Sequence, residues 1–204
     1  MIKIDNRIVL KCLEKLTDRL EIMFQTEEFV NSIIAMSSLD EKLDYDTVHD
    51  ILNMMQTFYI FDSFSLGNSA IDKLLKDKRY GKESIAILKA MKKSKLQLYE
   101  IIDANEKYVT IKNVITGIED DTISDHLQEL LQNVDKEDVY IACHRIVINN
   151  IVYVLYPILL NKNITILGDF INIIKLCKMP SNLLALSVFL MKTDKSENAT
   201  LGDA

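Results

Sequence analysis

The sequence predicts an α+β protein: an N-terminal helical bundle packed on a small antiparallel β barrel or curled sheet, with C-terminal helices. Three observations lead there. Apolar residues recur at helical spacing over about the first 95 positions. From Gln97 to Leu160 the chain changes to β-branched and aromatic runs broken by short polar turns. After Asp169, capping residues and the helix-breaking Pro180 restore helical signals. The organisation that follows is a helical region over 1–95, a β module over 96–167, C-terminal helices over 168–191 packed on the rest, and a frayed tail over 192–204.

In order, Asn6 to about Phe24 places Val9, Cys12, Leu13, Leu16, Leu20 and Met23 on one helical face. A second helix is expected from Thr26 to about Met36, and a third from Asp44 or Tyr45 to about Phe61. A short helix over Ser69 to Lys76 turns Ile71, Leu74 and Leu75 inward, and Tyr80-Gly81 ends it. The next, Lys82 to about Lys93, buries Ile85, Leu88 and Met91 and leads almost directly into strand.

The first strand spans about Gln97 to Asp103, and the second returns over Tyr108 to Val114. A turn at Thr116-Gly117 leads to a short strand near Asp121 to Ser124, where Ser124 can cap a brief helix containing Leu127, Leu130 and Leu131. Val139 to Ile148, the turn Asn149-Asn150, and Ile151 to Leu159 read as a hairpin. Pro157 suggests that the second of these strands lies at an edge or ends there. A last strand is expected at Ile164 to Leu167, then helices from Asp169 to about Lys178 and from Ser181 to about Met191.

Composition bounds the function. A chain of 204 residues with 49% hydrophobic residues, two prolines and five glycines can bury a sizeable core and is not disordered. Its formal charge of -6 disfavours general adhesion to nucleic acid or anionic lipid. The early residues are charged too often for a secretory signal. The most hydrophobic stretch, Val139 to Leu160, carries His144, Arg145, Asn149 and Asn150, so no membrane association is expected. Three widely spaced cysteines, Cys12, Cys143 and Cys177, suit a reducing cytoplasm.

Motifs that carry chemistry are missing: the chain has no P-loop, GxGxxG, HExxH, GxSxG or CxxC. Cys143 and His144 are adjacent on a strand and point to opposite faces, so they cannot form a thiolate-imidazole dyad. Arg145 shares the face of Cys143 and is placed to pair with a carboxylate from Glu119 to Asp125. Asp46, His49 and Asp50 share one helical face and read as a solvated helix start rather than a metal site. His126 reads as exposed. No catalytic residue, metal or cofactor is expected.

Charge is segregated along the chain. Lys73 to Lys95 holds nine basic residues against two acidic ones, and Glu119 to Asp138 holds eight acidic residues against one lysine. This gives a candidate basic interaction patch of Lys73, Lys76, Lys78, Arg79, Lys82, Lys89, Lys92 and Lys93. The candidate acidic patch is Glu119, Asp120, Asp121, Asp125 and Glu129.

Three segments carry a family resemblance. They are Leu98-Tyr99-Glu100-Ile101-Ile102-Asp103; Val109-Thr110-Ile111-Lys112-Asn113-Val114-Ile115-Thr116-Gly117; and Asp138-Val139-Tyr140-Ile141-Ala142-Cys143-His144-Arg145-Ile146-Val147. Together they resemble a small β module of poorly characterised bacterial proteins, in which an LYEVVD strand is followed by a strand ending in an LLTG turn and then by a strand ending in Arg. Some of those proteins carry a C-terminal SEC-C zinc motif. Here the ligands for it are missing, because after residue 161 the chain has Cys177 alone and no histidine. The resemblance implies a fold and no activity.

The expectation is a non-enzymatic cytoplasmic protein, a regulator or adaptor acting through protein contacts, self-association among them. A nucleic-acid-associated regulator using residues 73–95 is the alternative. A second alternative is an enzyme with a site between helices and sheet near His144, Arg145 and Glu100.

Overall fold

A computed structural model describes residues 6–24, 56–57, 59–61, 69–105, 107–132, 134, 139–161, 171–173 and 176. Residues 56–57, 59–61, 171–173 and 176 are helical, within two of the expected helices. The remainder of those two, the helix expected at 26–36, the strand at 164–167 and the helix at 181–191 lie outside the described residues. The chain divides into two compact units, Met1–Ser94 and Lys95–Ala204.

In the first unit, α1 (Asn6–Phe24) buries Val9, Leu13, Leu16, Leu20 and Phe24, steps of three and four that keep one face inward. Cys12 and Met23, expected on that face, are only partly buried at its margin. The helix α2 (Ala70–Leu75) starts at Ser69, whose hydroxyl accepts from the Asp72 amide at 3.2 Å and so satisfies one of the free N-terminal donors. The third helix, α3 (Lys82–Lys93), buries Ile87, Leu88 and Met91. Ile85 lies about 60° around the helix from Leu88 by the helical repeat and is half-buried rather than inward.

The second unit is built on five strands and one short helix: β1 (Leu96–Ala104), β2 (Val109–Asn113), β3 (Glu119–Ile123), α4 (Asp125–Leu131), β4 (Val139–Ile148) and β5 (Ile151–Asn161). The strands pair in the order β1-β2-β3-β5-β4, and β4 returns to β1, so the sheet closes into a barrel. The expectation of a wholly antiparallel sheet needs one correction. Thr122 and Ile123 of β3 run parallel to Val152 and Tyr153 of β5. The helical excursion between β3 and β4 brings the chain back on the far side of the barrel, so β5 reaches β3 in the same direction. This strand order, with a helix bridging β3 and β4, is that of the OB-type five-stranded Greek-key barrel.

Alternation along the strands fills the barrel with Tyr99, Ile101, Val109, Ile111, Ile141 and Val154. Leu127 and Leu131 of α4 join them and close one end, held there by the Ser124 cap (Oγ accepting from the Leu127 amide at 3.2 Å). Two irregularities shape the wall. In β1 an extra residue, Ile102, interrupts the register with β2. In β5 a bulge at Tyr156-Pro157 shifts the register with β4, with Tyr156 at a φ of 51°. Pro157 therefore marks neither an edge nor an end: β5 continues to Asn161, and the bulge accommodates a residue without an amide hydrogen. The outward face of β4 and β5, continued by Leu98 at the start of β1, is mostly apolar and also buried, including Ala142, His144, Ile146, Tyr153 and Leu160.

Candidate functional site

The interior of the barrel changes character at the end opposite α4. There Arg145 of β4 reaches Asp120 of β3, with Nε donating to Oδ2 and Nη2 donating to Oδ1, both at 2.8 Å. The Asp120 carboxylate holds the Arg145 guanidinium more firmly protonated than usual. Beside the pair, the Tyr99 hydroxyl donates to Gln97 Oε1 at 2.8 Å, and Asn113 Nδ2 donates to the same oxygen at 3.4 Å. Asn113 Oδ1 in turn accepts from the amides of Ile115 at 3.0 Å and Thr116 at 2.8 Å, and this fixes the turn that Gly117 completes at a φ of 70°. These polar groups satisfy one another. They form a structural plug, and Asp120 belongs to it rather than to a free acidic surface.

The Cys143 thiol lies in the barrel core, where burial pushes its pKa well up and keeps it protonated and unreactive. His144 points to the opposite, outward face and is buried there, with burial lowering its pKa to about 3. The two are separated by the sheet, as strand alternation requires. Glu100 is on the outward face too, but it registers with Tyr140 while His144 registers with Leu96, four residues along both strands. His144, Arg145 and Glu100 therefore do not converge on one site.

The outward face of β1, β2 and β3 differs from the rest of the barrel exterior. It presents Glu100 and Asp103 from β1, Thr110 and Lys112 from β2, and Glu119 and Asp121 from β3, a partly solvated face with four carboxylates and one lysine. Lys112 pairs with Glu119 at 3.0 Å, and the Thr110 hydroxyl donates to Asp121 at 2.7 Å. Apolar side chains are exposed around it, Ile102 at 48% and Ile118 at 58%, with Ile115 in the β2-β3 turn. Asp125 and Glu129 of α4 are exposed, as is His126. The expected acidic patch missed Glu100 and Asp103 because they lie 16 or more positions before Glu119 and join it only through strand pairing. The alternation of Glu100 with buried Tyr99 and Ile101 is the signal that exposes one of them.

The basic candidates lie in the other unit and separate into two groups. Three are engaged: Arg79 pairs with Asp77 at 2.6 Å, Lys92 pairs with Asp72, and Lys73 lies 5.5 Å from the centre of the Tyr59 ring. Lys76, Lys78, Lys82, Lys89 and Lys93 are exposed and form no ion pair with a described residue. Of these, Lys82, Lys89 and Lys93 fall on one stripe of α3, at i, i+7 and i+11.

Asp46, His49 and Asp50 lie outside the described residues. Among the described residues no three His, Cys, Asp or Glu side chains are grouped to hold a metal, and no helix is long and apolar enough to cross a membrane. A family model, described as a family of unknown function (DUF7986), matches residues 9–154, from α1 into β5. No match was found among curated proteins, and none among solved structures.

Proposed function

We propose that this chain, which belongs to the family of unknown function DUF7986, is a non-enzymatic cytoplasmic regulator or adaptor that works through protein contacts made by the outward β1-β2-β3 face. The observation that carries this reading is the chemistry of that face. OB-type barrels that take oligonucleotides use the β2-β3 face, with basic and aromatic side chains to meet phosphate and base. Here the outward β1-β2-β3 face has four carboxylates and one lysine, and the single aromatic ring of these strands, Tyr99, points into the barrel instead. It repels phosphate and, with Ile102 and Ile118 exposed beside it, suits a basic protein surface with an apolar anchor.

We also infer that the barrel is the β module of the SEC-C-bearing bacterial proteins. In support, β1 covers the LYEIID segment, β2 covers VTIKN, and β4 covers VYIACHRIV.

The test uses the full chain immobilised beside a double variant, Glu119→Lys with Asp121→Lys, with partners quantified from the native lysate and contact sites mapped by cross-linking. A partner enriched on the natural chain, lost from the variant and cross-linked at Lys112 or Lys107 is the expected result. Equal capture by both forms, or cross-links confined to the helical unit, would overturn it.

A second reading rests on the five exposed lysines that form no described ion pair, which could meet nucleic-acid phosphate. It predicts salt-sensitive retardation of DNA or RNA that disappears in Lys89→Glu, Lys92→Glu, Lys93→Glu. No retardation at low salt removes it.

A further inference from the structure

The acidic sheet face and the basic helix stripe are both exposed, oppositely charged, and carried by every copy of the chain. We propose that the occupant of the β1-β2-β3 face is the α3 stripe of a second copy, so that the protein forms a reversible homo-oligomer held by the α3 lysines of one chain against the carboxylates of another. This rests on the reading of that face as a protein-contact surface and adds the identity of the partner.

Two observations carry it, and a third sets its range. First, the charge left after internal pairing is complementary. On the barrel, with Asp120 held by Arg145 and Glu119 by Lys112, Asp103 and Asp121 of the face remain exposed, as do Asp125 and Glu129 on the adjoining helix α4. On α3, Lys82, Lys89 and Lys93 form no ion pair with a described residue. Second, the two surfaces fit in form. Lys82 to Lys93 is a three-turn ridge with small Ala86 between the lysines, and β2-β3 is a short strand pair whose outward face is partly exposed. A straight ridge of long side chains can lie along such a pair, with the lysine stems covering Ile102 or Ile118 while their ammonium groups meet carboxylates. Third, the overall charge of -6 on each copy opposes association at long range, whereas the complementary patches act at contact distance. Exposed ion pairs are individually weak, so the association is reversible and depends on salt.

If the two copies are related by a twofold axis, each supplies one ridge and one face, and the assembly closes as a dimer. If they are not, the same contact runs head to tail.

The test is sedimentation velocity and native mass spectrometry of the full chain at low ionic strength and at about 0.5 M salt, where screening acts within a few ångströms. Two charge-reversed forms are made: Lys89→Glu with Lys93→Glu, and Glu119→Lys with Asp121→Lys. Circular dichroism checks that each is folded. The natural chain is expected to double its mass, or more, at low salt and return to monomer at high salt. Each variant alone is expected to be monomeric, and an equimolar mixture of the two to associate again, because the unaltered stripe of one then meets the unaltered face of the other and the two reversed surfaces are complementary as well. Zero-length cross-linking of mixed light and heavy isotope-labelled chains should join Lys89 or Lys93 of one copy to Glu119 or Asp121 of another.

A natural chain that stays monomeric at low salt overturns the proposal. So does a dimer that both reversals leave intact. A monomer whose lysine stripe retards nucleic acid overturns it in favour of phosphate as the occupant. A monomer that still captures a different protein through the acidic face overturns the self-association alone and leaves the protein-contact reading standing.

Discussion

Arg145 and Asp120 are joined by two 2.8 Å hydrogen bonds although their strands are not neighbours, since β5 lies between β4 and β3. The bond crosses the barrel interior, not the sheet. At 30% and 17% side-chain exposure both groups are largely withdrawn from water, so each depends on the other for the interactions that water would supply. Together with the Gln97, Tyr99 and Asn113 hydrogen bonds, the pair closes the end of the barrel that α4 does not reach.

Removing one partner leaves a mostly buried charge without its counter-ion. Asp120→Leu and Arg145→Leu are each expected to cost about 2–4 kcal/mol, toward the lower value because the guanidinium keeps some contact with solvent. Asp120→Leu combined with Arg145→Leu is expected to cost less than the sum of the separate losses, by about 1–3 kcal/mol of coupling. Urea denaturation of the natural chain, the single variants and the double variant measures this. Strict additivity would show that the two side chains stabilise the barrel independently.

His144 makes stability depend on pH in a predictable direction. Its ordinary pKa of 6.5 is lowered to about 3 by burial on the outward face of β4. In the unfolded chain the imidazole takes a proton below pH 6.5, whereas in the folded chain it stays neutral until about pH 3. The neutral imidazole's contribution is therefore complete above pH 6.5 and is lost as pH falls, by about 1.4 kcal/mol per unit at most, or about 2 kcal/mol by pH 5. Comparing urea midpoints of the natural chain and His144→Gln between pH 7.5 and pH 5 isolates this contribution from the carboxylates, which both proteins share. The variant should show the shallower decline, and parallel declines would mean that the imidazole takes up its proton without unfolding.

Much of the barrel is legible in the sequence because strand alternation is a local signal. It places Cys143 and His144 on opposite faces, and it turns Arg145 inward towards the carboxylates of residues 119–125, where Asp120 meets it. Closure is not legible in this way. Whether β5 runs parallel to β3 depends on where the chain emerges after α4, a property of three-dimensional path and not of residue order. The same limit hid the full extent of the acidic face, since Glu100 meets Lys112, and Lys112 meets Glu119, only through the registers of two strand pairs. Pro157 misled for a different reason. A missing amide hydrogen usually marks an edge, but the bulge at Tyr156 supplies another place for it inside a long strand. His144 reads as polar in sequence and is buried because its neighbours on that face are apolar.

Tyr153 carries a buried hydroxyl that makes no hydrogen bond with a described residue. Its ring packs on the outward face of β5 opposite Ile146, and burial raises the phenol's pKa. An unsatisfied buried hydroxyl has given up its hydrogen bonds to water without replacement, whereas phenylalanine keeps the ring and gives up nothing. Tyr153→Phe should therefore be neutral or stabilising by up to about 1 kcal/mol. A loss of more than about 1 kcal/mol in the urea midpoint analysis would mean that the hydroxyl is satisfied in solution.

The β4-β5 hairpin holds the barrel together, since β4 closes on β1 and β5 closes on β3, and its two-residue turn sets the register of both. Asn149 and Asn150 have φ values of 54° and 64°, the left-handed pair of a type I′ turn, whose twist matches that of the flanking strands. Asparagine tolerates this conformation, glycine adopts it without steric cost, and a β-branched residue clashes with its own backbone there. Asn150 is exposed, so a substitution at this position reports the backbone and not lost packing. Asn150→Gly is expected to leave stability unchanged or raise it by up to about 1 kcal/mol, and Asn150→Val to lower it by about 1–2 kcal/mol. Urea unfolding of the two variants provides the measurement. If valine is accepted as readily as glycine, the tip is not held left-handed, and the register of β4 against β5 must be fixed instead by the Tyr156-Pro157 bulge further along the strand.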